Sequence, residues 1–125
     1  MEKRVCLITG GTSGIGKYTA LAMRSAGYAV FEISRRTDGI DGIFHISADI
    51  TDEGAVQQAV SAVLSQAGRI DVLINNAGFG ISGAIEFTQT EDAKRQFDVN
   101  FFGMVNMNRA VLPIMRRQRC EKILN

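Results

Sequence analysis

The sequence predicts an α/β fold built on a doubly wound parallel sheet. Three observations carry that prediction. Short apolar runs rich in Val and Ile alternate with longer segments of helical periodicity. Gly27, Gly39, Gly42, Gly68 and Gly78 punctuate the junctions between them. The first apolar run passes through a glycine-rich turn straight into an amphipathic segment. Strands alternating with helices imply βαβ crossovers, which leave a parallel sheet covered on both faces.

Taken in order, Arg4-Val5-Cys6-Leu7-Ile8 reads as the first strand, and residues 15–26 as the first helix. Further strands are predicted over 29–34, 43–48 and 71–75, with a fifth opening at 122–125. The second helix, 53–66, carries Val56, Ala59, Val60, Val63 and Leu64 as one stripe at 3.6-residue spacing. Thr51 and Asp52 stand at its N-cap position, with Glu53 in its first turn. A long third helical segment spans 91–117 with a break near Asn100 and Gly103. The expected strand order is 3-2-1-4 as far as these strands go.

With 125 residues, 46% of them hydrophobic and 22% charged, the chain suits one soluble domain with a real core. A net charge of +1 gives no general attraction to nucleic acid or to an anionic membrane. Arg116-Arg117-Gln118-Arg119 is short and reads as a solvated face. Cys6 and Cys120 form no C-x-x-C pair, and Cys6 reads as a small buried hydrophobe. The N-terminus has no secretory pattern and no run is long enough to cross a bilayer, so a cytoplasmic protein is expected. His45, beside Phe44 and Ile46, reads as a packed or edge histidine, and no cluster has metal-ligand spacing.

The most informative stretch is Thr9-Gly10-Gly11-Thr12-Ser13-Gly14-Ile15-Gly16. A strand, a glycine turn and a helix start together form an anion site: glycines admit a phosphate close to the backbone, and the helix end offers free N–H groups. The spacing Gly10-x-x-x-Gly14-x-Gly16 differs from G-x-G-x-x-G. A P-loop nearly matches through Gly16 and Lys17, but fails at Tyr18, whose phenol cannot replace the small hydroxyl that ligates Mg²⁺. An ordinary ligand-free turn is the remaining rival.

Asn75-Asn76-Ala77-Gly78 after the fourth strand, Val99-Asn100 in the long helical segment and Asp49 after the third strand follow that turn in order. With it they make the chain resemble the short-chain dehydrogenase/reductase family along its whole length. The resemblance implies a Rossmann-type fold and a nicotinamide dinucleotide bound by Gly10, Thr12, Ser13, Gly14, Ile15 and Gly16. It also implies that Asp49 and the Ile50 backbone meet adenine, and that Asn76, Ala77 and Gly78 pass the ribose and nicotinamide. Asp49 has the alternative reading of a cap near the second helix. Asn75 and Asn76 can equally bridge neighbouring strands.

In such a site the end of the second strand touches the adenosine ribose. Here it reads Glu32-Ile33-Ser34-Arg35-Arg36, with Ser34 where NAD-preferring relatives carry Asp. A guanidinium at Arg35 grips a 2′-phosphate, and Ser34 adds a hydroxyl donor, so NADP is expected over NAD. Glu32 is the alternative acidic reader, and Arg35-Arg36 can also be a solvated loop.

Hydride transfer to or from a carbonyl or alcohol substrate is the activity the resemblance implies. Asn100 matches the family's catalytic Asn. The family's Ser and Tyr-x-x-x-Lys have no match, because Tyr18 and Tyr28 lie too early and neither has Lys four residues on. The expectation is therefore a sheet truncated at the start of its fifth strand and an inactive cofactor-binding half. A non-catalytic dinucleotide-binding or interaction module is the alternative. An apolar strand at an open edge and the apolar third helical segment also predict a homo-oligomer.

Overall fold

The computed structural model describes residues 3–78, 85–119 and 122–125. Its elements run β1 (Val5–Thr9), α1 (Gly14–Ser25), β2 (Ala29–Ser34), β3 (Phe44–Ser47), α2 (Glu53–Ala67), β4 (Val72–Asn75), α3 (Thr90–Phe97), α4 (Gly103–Gln118) and β5 (Ile123–Leu124). A single 3-10 turn covers Ile85–Phe87. The five strands form one parallel sheet ordered β3-β2-β1-β4-β5, which contains the expected 3-2-1-4 order.

Pleating sends alternate residues of each strand to opposite faces, and two cores result. On one face Val5, Leu7, Phe31, Ile33 and Leu73 pack against α2 and α4 through residues such as Val60, Val63, Met107 and Val111. On the other, Cys6, Ile8, Val30 and Val72 pack against Ala20 of α1. Cys6 serves as a hydrophobe there, and its burial pushes the thiol pKa up to about 12. The same parity places Glu32 on the α1 face, where it is fully buried.

The α2 stripe is buried at Val56, Ala59, Val60 and Val63. Asp52, rather than Thr51, caps α2: its Oδ1 accepts from the Ala55 N–H at 3.1 Å. Gly68 ends the helix at φ 77°, the left-handed conformation that glycine adopts without steric cost. β4 begins after Asp71, whose carboxylate accepts from the Val5 N–H at 2.7 Å and from Arg69 at 2.7 and 2.8 Å.

The long segment keeps right-handed helical backbone where a break is expected. One π turn, Asp98–Phe102, joins α3 to α4, and Gly103 N–H bonds back to the Asp98 carbonyl. The apolar residues of this region divide between core and surface. Met107, Val111 and Met115 are buried, but Phe97, Phe101 and Phe102 are exposed at 65%, 47% and 52%.

Candidate functional site

The strand order reverses between β1 and β4, and the ends of both strands open onto a cleft of about 430 Å³. In open α/β sheets this switch point is where ligands sit. The cleft collects residues from five separate stretches of the chain. Gly10, Ser13, Ile15 and Gly16 supply one wall. Ile33, Ser34 and Arg35 come from the end of β2, and Ala48, Asp49 and Ile50 from the end of β3. Asn76, Ala77 and Gly78 close the side beyond β4, with Val99 of the π turn.

The glycine turn is held against the end of β4 by side-chain-to-backbone hydrogen bonds. Thr9 Oγ1 is buried and accepts from the N–H groups of Asn76 and Ala77 at 3.1 and 3.0 Å. Asn76 Nδ2 donates to the Gly10 carbonyl at 3.1 Å. Gly16 lies so close to this junction that a Cβ would stand 2.2 Å from the Gly10 carbonyl oxygen and 2.3 Å from Asn76 Nδ2. Gly10 itself has φ 69° with Ala77 pressed against it. Only glycine meets both demands.

α1 begins at this turn without a side-chain cap. Ser13 occupies the N-cap position in extended conformation, makes no capping bond, and no acidic residue lies in the first turn. The first turn of a helix carries N–H groups with no intrahelical partner and the positive end of the dipole. Ile15 is 80% exposed beside them. The arrangement suits an anion that also covers an apolar side chain.

At the far end, Asp49 Oδ1 accepts from the Thr51 N–H at 3.0 Å and the Thr51 hydroxyl at 2.8 Å. The bond from the Thr51 backbone, helped by its hydroxyl and by the charges of Arg35 and Arg95, outweighs burial and holds the Asp49 carboxyl below its usual range. Asp49 thus both orders the turn before α2 and lines the cleft. The Ile50 carbonyl is taken by Asn106 Nδ2 at 2.9 Å.

Glu32, the alternative acidic reader, is buried and already has partners. Its Oε2 accepts from the Gly11 N–H at 3.2 Å, and its Oε1 lies 2.5 Å from His45 Nδ1. Its carboxylate faces the underside of the turn, because β2 alternation points it at the α1 core. The Ser34 hydroxyl, expected as a donor into the cleft, donates to Glu32 Oε1 at 3.3 Å instead. That bond is long beside the ~2.7–2.8 Å of a strong O–H···O. His45 is a packed edge histidine whose Nδ1 lies against the Glu32 carboxylate.

Thr12 and Gly14 stand on the turn but outside the cleft lining. Gly14 has φ 56° and open space on its Cβ side, so it shapes the turn. Asn100 lies at the mouth: a Cβ on Gly78 would stand 2.6 Å from its Oδ1. Asn75 links α4 to the residue after β5, its Nδ2 donating to Asn108 at 2.8 Å and Asn125 at 2.7 Å. Phe79-Gly80-Ile81-Ser82-Gly83, which the sequence offers after the fourth strand as lining for a pocket entrance, lie outside the described residues. Thr9, Ile33, Ala48 and Val99 carry no site role in the sequence reading; Thr9 at the head of the glycine motif and Val99 before Asn100 are the available signals.

A doubly wound parallel sheet with a glycine turn at its switch point places the molecule in the Rossmann-type class of α/β proteins. The family described as short chain dehydrogenase matches residues 4–125, and the chain belongs to the short-chain dehydrogenase/reductase family. It is 45% identical over 126 residues to a 3-ketodihydrosphingosine reductase of Bacteroides thetaiotaomicron, covering 100% of this chain and 47% of that protein. The chain spans about half the length of this curated relative. A short-chain dehydrogenase of Streptomyces avermitilis superposes with a TM-score of 0.91 at 34% identity, over 98% of this chain and 48% of that one. ElxO with NADP bound gives 0.89 at 31% identity, covering 97% and 54%. A 3-ketoacyl-(acyl-carrier-protein) reductase of Brucella melitensis complexed with NADH gives 0.88 at 33%, covering 94% and 52%. Among the described residues no helix is long and apolar enough to cross a membrane.

Proposed function

We propose that these residues form the cofactor-binding half of an NADP-dependent oxidoreductase that acts on a small carbonyl or alcohol substrate. One observation carries the choice of cofactor. The end of β2 offers Ser34 and the exposed Arg35 to the cleft, while the acidic residue of that strand is buried beneath the turn. A carboxylate beside the adenosine ribose repels a 2′-phosphate, whereas a guanidinium binds it bidentately.

The remaining residues fit a dinucleotide. Gly10, Ser13 and Gly16, with Thr12 and Gly14 shaping the turn, suit the pyrophosphate at the uncapped start of α1. Asp49 and the Ile50 backbone suit adenine; Asn76, Ala77 and Gly78 suit the ribose and nicotinamide. When bound, the cofactor supplies or accepts hydride. Asn100 is the residue of these 125 assigned to proton relay. The ketone reductase named among the relatives supports reduction as the direction of the reaction. With only Tyr18 and Tyr28 in the sequence, neither followed by Lys four residues on, this stretch binds cofactor without turning it over. A cytoplasmic homo-oligomer is part of the same reading.

Titration of NADPH and NADH against wild type and Arg35→Ala tests it. The expected result is tighter binding of NADPH, with Arg35→Ala losing roughly tenfold or more for NADPH and little for NADH. Equal wild-type affinities for the two would sink the assignment.

A further inference from the structure

Beneath the cleft lies a network that the cofactor reading leaves unused. Glu32 joins three parts of the molecule: the glycine turn through Gly11, the end of β2 through Ser34, and the neighbouring strand through His45. Register places Glu32 and His45 side by side on β2 and β3. The second ring nitrogen of His45, Nε2, lies 2.7 Å from the Arg36 carbonyl oxygen. His45 thereby ties the loop that starts with Arg35-Arg36 to the carboxylate under the glycine turn. Gly39 of that loop rests directly on the imidazole: a Cβ there would stand 2.5 Å from His45 Cβ.

Both ring nitrogens therefore face oxygen acceptors. A neutral imidazole has one N–H and one lone pair, so it satisfies only one such neighbour. The pair makes both contacts only while it holds one additional proton, as imidazolium against carboxylate or with that proton drawn onto Glu32. The charged groups acting on His45 are Glu32 from β2 and Asp38 from the loop, both negative. Burial lowers the imidazole pKa, but the hydrogen bonds to Glu32 and the Arg36 carbonyl and the two negative charges outweigh it and raise the pKa above its usual value.

We propose that Glu32 and His45 form a proton-linked strut that positions Arg35-Arg36 against the glycine turn, so that affinity for a 2′-phosphorylated dinucleotide falls when the strut loses its proton. This rests on the NADP reading. Without the proton, the Nε2 lone pair or the Nδ1 lone pair opposes an oxygen lone pair, and one end of the strut releases. The loop carrying Arg35 then loses its tether, or the buried carboxylate loses the partner that steadies Gly11. His45 acts here as a positioning residue.

The sign follows directly. The protonated strut binds better, so affinity is full at low pH and declines as pH rises through the raised imidazole pKa. The 2′-phosphate ionises near pH 6 and pulls the other way, so the window lies above about pH 6.5. NADPH titrated calorimetrically between pH 6.5 and 9.5 is expected to lose about five- to tenfold in affinity, the net worth of one ordinary hydrogen bond. His45→Gln is expected to bind more weakly and without that pH dependence.

His45 is the only histidine of the 125 residues, so its ring resonances report the strut without any substitution. By linkage, saturating NADPH must raise the imidazole pKa by the same factor that protonation tightens binding. Tight NADPH binding with an unmoved imidazole pKa, or a flat wild-type profile, overturns the strut and leaves the cofactor assignment standing. No NADPH binding anywhere in the window overturns the cofactor assignment itself.

Discussion

Two helices of this molecule begin in opposite electrostatic states, although both leave the end of a strand in the same sheet. α2 looks after its own N-terminus. Asp52 accepts from the Ala55 N–H, and Glu53 adds negative charge to the first turn. α1 has Ser13 in the equivalent place, a residue type that caps about as well as Asp, yet the hydroxyl makes no capping bond and no acid follows. The difference lies in what each N-terminus faces. α2 starts at an exposed turn, where internal capping is the cheapest way to satisfy its amides. α1 starts in the cleft wall, where an internal cap would compete with an incoming anion. One helix is finished by its own side chains, and under the proposed function a bound anion finishes the other.

The largest test of that contrast is Gly16→Ala. The added Cβ meets the Gly10 carbonyl and Asn76 Nδ2, neither free to move without parting the turn from β4. A loss of about 1–3 kcal/mol or more in urea-unfolding stability is expected, with NADPH binding abolished. Gly14→Ala provides the comparison. Its Cβ enters open space, so only the left-handed backbone is strained, at about 1–2 kcal/mol. Equal losses from the two would mean that the close packing of α1 on the β4 end is unimportant.

A smaller effect comes from exchanging the two capping states. Ser13→Asp gives α1 an internal cap and a negative charge at the same point. The free protein is expected to gain about 0.5–1 kcal/mol, while NADPH affinity falls roughly tenfold or more. Asp52→Ala removes the α2 cap and is expected to cost about 1 kcal/mol with cofactor affinity unchanged. Thermal unfolding and calorimetric binding on both variants read the two signs independently. If Ser13→Asp weakens neither binding nor the salt dependence of binding, the open end of α1 is not an anion site.

The contrast between the helix starts was only half legible in the sequence. The α2 cap was readable because Asp52, Glu53 and the Val56–Val63 stripe are close neighbours in the chain, and local periodicity reports local structure. The glycine turn was readable for the same reason, since close backbone approach demands glycines at fixed spacing. Glu32 was not. Its partners stand at positions 11, 34 and 45, brought together by β-register and sheet order, and a lone Glu between Phe31 and Ile33 gives no sign of them. The π turn was equally hidden. Over five residues an i to i−5 pattern differs from an α-helical one by less than the hydrophobic pattern can resolve, so a break was read where the chain stays helical. Membership of the cleft wall was legible for Asp49 and Arg35, yet not for Ala48 or Val99, whose apolar side chains carry no chemistry to single them out.

The smallest expected effect concerns Asp49, three residues before the α2 cap and the one carboxylate among the described residues that line the cleft. Thr51 bonds and nearby Arg35 and Arg95 depress its folded-state pKa below the unfolded value of about 3.9. A depressed carboxylate pKa contributes stability that is present above the unfolded value and is lost as pH falls through the folded one. Asp49→Asn keeps a side-chain oxygen for the Thr51 N–H but removes the titration. It is therefore expected to unfold less steeply than wild type as pH drops below about 4, and to differ little in shape of profile above pH 5. Asp71, held below its usual range despite burial by Arg69 and the Val5 N–H, remains in both proteins and supplies the common background. Acid unfolding curves of the two proteins that superpose after a constant offset would show that Asp49 ionisation is not linked to the fold. A difference confined to the acid limb would show that the cleft residue also serves the turn from which α2 starts.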